Sequence, residues 1–405
     1  MNMNSATSAS ADSFLRDPPD FSLVLGGPLF QLMRRAHLSD EGLHLMHRRV
    51  IVIALICWLP LFVLSAAGGE LLGGNATVPF LLDIDVHLRF LVAVPLLISA
   101  ELVVHLRMRD IVRVFLDRRL IPENALARFE EIVNSALRLR NSVRAEILLL
   151  FLVYGVGVLI VWRHYSALDA ATWYATPSVE GPRFSLAGLW YGYVSLPLFQ
   201  FLLVRWYFRV FIWTRFLWQV SRIKLCLIAT NPDRVGGLGM LAGMVHAFMP
   251  VLLAHGVLLA GSIANRIFYL RATLLDFKIE VVTLTVLLLC MVGGPLLVFT
   301  PLLAQTKRTA RRVYGTLAQR YGREFYAKWL REGAAPDEPL LGAADIQSLA
   351  DMGNSTEVVL TMRTTLITKE MLIALGCAVI APIVPLALTM MPLNELIKKM
   401  AGILF

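Results

Sequence analysis

The chain is short of cysteine and short of charge. None of its four cysteines, Cys57, Cys226, Cys290 and Cys377, forms a CxxC pair. Three of them lie inside apolar runs, so they read as small buried hydrophobes and not as a disulfide framework or zinc site. Charged residues make up only 17% of the 405, against roughly a quarter in soluble domains. Catalytic signatures are missing too: there is no HExxH, GxSxG or SxxK set. Asp345, Asp351 and Glu357 are six apart, which scatters them around a helix, so no metal is expected there. No cofactor is implied, and nothing resembles a nucleic-acid-binding motif despite the net charge of +9.

What the chain has is apolar length. Hydrophobic residues reach 57% and the mean hydropathy is +0.66. They are gathered in blocks at 50–67, 88–106, 146–162, 187–208, 239–262, 281–303 and 371–391. Blocks of this length fit helices that cross a bilayer. A β-barrel would alternate apolar and polar residues, and these runs do not. The fold class expected is therefore all-α: a polytopic transmembrane helical bundle of about seven spans, with a cytoplasmic helical lobe built from span extensions. Pro382, Pro385 and Pro392 interrupt the seventh run. It either crosses or turns back, with Leu393–Phe405 as an amphipathic helix on the inner face.

The basic residues set an orientation. Residues 107–145 and 304–332 are rich in arginine, and residues 68–87 contain no lysine or arginine. By the positive-inside rule the first two are cytoplasmic and the third is outside. The N-terminus is then cytoplasmic. Residues 1–49 read as a cytoplasmic tail, and the run from Val50 reads as a retained signal-anchor helix. The stretch 263–280 fits less well, because Arg266, Arg271 and Lys278 would lie outside.

Several helices are expected to continue beyond the bilayer. Residues 107–145 predict a helical hairpin that turns at Leu120–Glu123 and then runs without a stop into the third span. Its apolar stripe is Leu126, Phe129, Val133, Leu137 and Arg140. Residues 214–238 predict a cytoplasmic helix followed by a glycine-rich turn, with Trp213, Phe216, Val220 and Ile223 on one face. Residues 304–370 carry a third stripe of Val313, Leu317, Tyr321, Phe325 and Trp329, then a linker at Gly333–Pro339. A short helix capped by Asp345 should stop at Gly353. Segment 371–405 completes the chain. Stripes of this kind need a partner, which is the case for the lobe; the alternative is amphipathic helices lying on the membrane surface.

Two groups of residues carry functional readings. Glu101, His105, Arg205 and His246 are ionisable residues at membrane depth, where such groups are expensive. Glu101 is roughly 7–8 Å and His246 roughly 10 Å from the inner end of their spans, at 1.5 Å per residue. They could form a polar cavity open to the cytoplasm, with Glu101 paired to Arg205 and His246 as a titratable neighbour. The plainer alternative is that Arg205, Arg209 and His105 reach out to the inner headgroups. The second group is Asp233, Arg234, Gly236 and Gly237 in Asn231–Gly239. A glycine-rich turn at a helix start can bind an anion or headgroup. The alternative is a tight turn capped by Asp233.

The stretches NPDRVGGLGML, GPLLVFTPLLAQTKR and ADIQSLADMGNSTEVV resemble parts of an uncharacterised family of bacterial multi-pass inner-membrane proteins. The resemblance covers most of the chain after the N-terminal tail. It implies a bacterial inner-membrane location and supplies no activity and no catalytic residue. Three functions stay open: a transporter or channel-like protein for a small ionic or polar solute; a membrane-embedded enzyme acting on a lipid-linked substrate, which is less favoured; and a non-catalytic assembly or signalling subunit. The partners expected are the lipid bilayer, anionic lipid headgroups at the basic loops, and a second copy or another membrane protein; nucleic acid is not among them.

Overall fold

A computed structural model of the protein describes residues 19–37, 45–73, 76–162, 172–176, 183–331, 333 and 344–390. Among these, helix α1 spans Pro28–Arg35 and α2 spans Met46–Ala67. Helix α3 runs Ile84–Asp117, α4 Glu123–Arg140 and α5 Val143–Val158. Helix α6 spans Leu186–Ser221, α7 Gly239–Leu270 and α8 Leu274–Arg331. Helices α9, Ala344–Thr361, and α10, Lys369–Ile380, follow. The two strands described, β1 (Ala175–Thr176) and β2 (Arg183–Phe184), form a small antiparallel ribbon.

Five of these helices, α2, α3, α6, α7 and α8, are long and apolar enough to cross a membrane. The bent pair α4–α5, which turns by 46°, would make six. The expected seven therefore becomes five or six. The run 371–391 forms no span-length helix: α10 ends at Ile380, and Val384–Thr389 is a separate tight helical turn. Pro382 and Pro385 account for the break, since neither can donate to the helical ladder. The proposed amphipathic helix at Leu393–Phe405 lies outside the described residues.

Lipid as solvent explains the surface of α2. Its buried residues are Arg49, Ile53, Cys57, Leu61 and Ser65, a stripe with a spacing of four. Ile51, Leu55, Ile56, Leu59 and Val63 are exposed. A helix that hides arginine and serine and displays isoleucine and leucine is not arranged for water. Helix α7 is the central element, with 67% of its most apolar window buried against 22% for α2.

The hairpin at residues 107–145 differs in one respect from the sequence expectation. Helix α4 does not run into the third span. It stops at Arg140, and Ser142 Oγ accepts from Ala145 N to start α5 at a new angle. Serine competes well for such amides, which favours a restart there. Phe115 and Phe129 pack together with ring centroids 5.7 Å apart, and α4 lies along α6. The α6 stripe Trp213, Phe216, Val220 and Ile223 is fully covered. The α8 stripe is not: Val313 and Leu317 are exposed, because α9 covers only one side of α8. Helix α9 also passes through Gly353 without stopping. Glycine weakens a helix by about 1 kcal/mol, too little to end one that packs along its length.

Two predictions follow from this packing. Gly256 on α7 lies against the Val379 carbonyl of α10, with no room for a methyl group. Gly256→Ala is expected to cost about 1–3 kcal/mol by overpacking, read as a lower melting temperature in detergent; an unchanged melt would show that α10 does not dock there. The second concerns Asp345, which accepts from Lys328 Nζ at 2.7 Å and Trp329 Nε1 at 3.1 Å. The hydrogen bond from Lys328, then that from Trp329, holds its carboxyl below the usual carboxylate range. A lowered folded-state pKa supports the α8–α9 contact above the unfolded carboxyl's pKa and loses that support as pH falls through the folded value. The protection of α9 amides, taken against their intrinsic exchange rates at each pH, should therefore fall below about pH 4. In Asp345→Asn that pH step should vanish.

Candidate functional site

The bundle has a basic end, with the loops 107–145 and 304–332, and an acidic end at 68–87. Each end buries a charged cluster.

At the basic end the cluster is centred on Glu101 of α3. Arg49 of α2 donates through Nη2 to Glu101 Oε2. Arg209 of α6 donates through Nη2 to Glu101 Oε1 at 2.6 Å. Arg205, one turn earlier on α6, is 3.9 Å from Glu101 Oε1 and 3.8 Å from Glu146 Oε1. Glu146 of α5 accepts from Leu29 N of α1 at 2.8 Å, which ties the N-terminal helix to the cluster. The Arg209 guanidinium lies 4.6 Å from the Trp206 ring, and Trp206 Nε1 donates to Leu97 O. These five charged side chains are all nearly inaccessible. Three arginines face two glutamates, so the group carries one surplus positive charge when ionised.

The expected Glu101–Arg205 pair is present as a contact, but Arg49 and Arg209 are the hydrogen-bonding partners. Arg49 stands just ahead of the apolar run that begins at Val50, which on sequence places it in the N-terminal tail. The signal that could have found it is the spacing Arg49, Cys57, Ser65, eight residues each, which puts the least lipid-like positions of α2 on one face. His105 is one turn from Glu101 and its Nδ1 is 3.0 Å from Ser22 Oγ. It lines a cavity of about 670 Å³ with Asp20, Gln31, Arg34, Arg109 and Asn141. Phe21 and Ser22 sit beside this cavity: Phe21 is buried against Trp213 and Phe216, and Arg140 Nη1 donates to Ser22 O. His246 lies at a tight turn within α7, and no hydrogen bond or ion pair joins it to the cluster. His255 belongs to a separate contact, between Tyr207 OH at 2.9 Å and Val251 O at 2.7 Å.

The glycine-rich turn is built around Asp233. Its Oδ1 accepts from Val235 N at 2.9 Å and Gly237 N at 3.1 Å, and its Oδ2 accepts from Gly239 N at 3.0 Å. The amides that would face an anion already face this carboxylate. Gly236 and Gly237 have φ of 68° and 99°, values that glycine adopts without strain. Arg234 is exposed. Arg118 Nη1 donates to Gly237 O, and Arg363 N donates to Arg234 O, so the turn joins the hairpin tip to the end of α9.

The acidic-end cluster escaped sequence reasoning. Asp83 accepts from Trp173 Nε1 at 2.8 Å and from Asn265 Nδ2 at 2.7 Å. Asp85 accepts from Arg89 Nη2 at 2.5 Å, and Arg89 Nη1 donates to Tyr191 OH at 2.5 Å. Trp173 is fully buried among Phe80, Tyr174 and Tyr191. The available signal was the i,i+4 spacing of Asp85 and Arg89 at the mouth of an apolar run. Among the described residues, no group of three or more His, Cys, Asp or Glu is placed to hold a metal ion.

The long apolar helices and the inverted surface of α2 are the pattern of a protein embedded in a membrane. No family model, curated protein or solved structure matches the chain.

Breaking the basic-end cluster should rank its members. Glu101→Ala strands the buried guanidiniums of Arg49 and Arg209, leaves Arg205 only its Glu146 contact, and is expected to cost about 3–5 kcal/mol. Arg209→Ala should cost less, and Arg205→Ala least, because Arg205 makes only contacts near 4 Å. Thermal melts of the three variants in one detergent give the order. A melt in which Arg205→Ala is the most damaging would overturn it.

Proposed function

We propose that the protein is a transporter or channel-like protein of the bacterial inner membrane, with its N-terminus in the cytoplasm, for a small ionic or polar solute. The observation that carries this reading is the placement of His105. It lines the cavity at the basic end, and Glu101, one turn further into the bundle, sits among Arg49, Arg205 and Arg209. Charged side chains kept at membrane depth call for a reason, and a solute path is one such reason. The surplus positive charge favours an anion over a cation. Arg205 is the residue to test, because it has the weakest ties to Glu101 and is the least buried of the three arginines.

A second reading, an assembly or signalling subunit, draws on α8. Its length past the apolar run, with Val313, Leu317 and Leu330 exposed, suits a docking arm. The lipid-linked-substrate enzyme has less support, since Asp233 already occupies the amides of its phosphate loop.

The test is flux into proteoliposomes with chloride, phosphate and potassium as separate probes. One anion should move faster than in protein-free vesicles, and Arg205→Ala should cut that flux about tenfold while the protein still elutes as a single folded species. Vesicles that pass no probe faster than the empty control would sink the proposal, as would undiminished flux in Arg205→Ala.

A further inference from the structure

A second basic site lies away from the Glu101 cluster, in the cleft where α4 packs along α6. Its volume is about 540 Å³, within the range of small-ligand pockets. From α4 come Arg128, Glu131, Ser135 and Arg138, spaced so that they share one helical face. From α6 comes Trp218, and from the cap at its C-terminal end Arg222. Arg215 reaches the same place, donating through Nη1 to Ser135 Oγ at 3.0 Å.

The charge of this cleft is not balanced. Among the described residues no carboxylate lies within 4 Å of Arg128, Arg138, Arg215 or Arg222. Glu131 is the one acid in the wall, and it makes no ion pair. Three guanidiniums therefore line the space with one carboxylate, and a fourth, that of Arg215, is held against its Ser135 wall. The positive-inside rule accounts for arginine at this end of the bundle. It does not account for arginines on two separate helices converging on one cleft. The Arg222 guanidinium sits 5.2 Å from the Trp218 ring, which holds one arginine in place beside the cleft. Guanidinium forks suit phosphate oxygens, because each can offer two parallel N–H groups.

The geometry points to a binding site for a phosphate-bearing small anion, which we propose is a soluble phosphorylated ligand. Distance from the bilayer favours a soluble source over a lipid headgroup. Helix α6 begins at Leu186, and a hydrocarbon core of about 30 Å takes up about twenty residues at 1.5 Å each. That leaves Trp218 roughly 18 Å and Arg222 roughly 24 Å beyond the core at that rise, further out than a headgroup that stays in its leaflet. The site is independent of the Glu101 cluster, with which it shares no residue.

The test uses full-length protein in zwitterionic nanodiscs, titrated with pyrophosphate by calorimetry at low salt. Saturable binding is expected, weakened at least tenfold in Arg138→Gln and in Arg222→Gln, and falling steeply with salt. Glu131→Gln removes the repelling carboxylate and should tighten binding several-fold. That variant keeps the proposal testable if an arginine variant fails to fold. A parallel arm replaces part of the lipid with phosphatidic acid and measures its enrichment around the protein. Enrichment that needs Arg138 and Arg222, without pyrophosphate binding, would overturn the soluble source in favour of the headgroup. Absence of binding in both arms, or binding indifferent to all three variants, would overturn the site itself.

Discussion

The structure turns on Glu101. A lone carboxylate among apolar helices would be too costly to keep ionised, and so would the arginines around it. Together they neutralise most of one another, and the hydrogen bonds from Arg49 and Arg209 take up both carboxylate oxygens. The arrangement joins α2, α3 and α6 at one point. Through Arg205 and Glu146 it reaches α5, and through Leu29 it reaches α1. Five helices thus share one electrostatic junction. Between helices in lipid, apolar side chains gain little by leaving the solvent, since the solvent is itself apolar. Polar groups with no other acceptor within reach fix which helices meet and in what rotation.

Much of this could be read from the residues, within limits. The apolar runs at 50–67, 88–106, 187–208, 239–262 and 281–303 all fall within helices of span length, because composition alone sets the solvent of such a segment. Glu101 and Arg205 were visible for the same reason: a charge inside such a run cannot be hidden in a loop. Arg49, Asp83, Asp85 and Arg89 were not visible, because each stands at the edge of a run. At an edge, sequence does not tell a charge that turns inward from one that reaches for headgroups. His246 shows the converse. Depth along a helix was readable, but the face it points from depends on the tight turn at His246–Phe248, which shifts the register.

The extensions beyond the bilayer show which contacts periodicity can and cannot foresee. The stripes on α4 and α6 meet each other and are covered. The stripe on α8 is as regular in sequence, yet its Val313 and Leu317 stay exposed because only α9 lies along it. An apolar stripe states that a helix has a face; it does not name what covers that face. The turn at Asn231–Gly239 makes a related point. Its glycines and helix start suggested a cradle for an anion, and Asp233 is itself an anion in that cradle. The residue that a motif search treats as flanking can be the occupant.

Helix α3 carries Arg89 near one end and Glu101 twelve residues on, about 18 Å along the axis. Around Arg89 the two aspartates leave one surplus negative charge; around Glu101 the three arginines leave one surplus positive charge. When these groups are ionised, the bundle therefore carries surplus charges of opposite sign at two points along α3. With the basic end inside, as proposed, a resting potential of about 100 mV favours this arrangement by on the order of 1 kcal/mol, since the two charges sit a little over half the core thickness apart. In that orientation the folded state would feel the voltage across its own membrane, and loss of the voltage would remove this contribution to its stability.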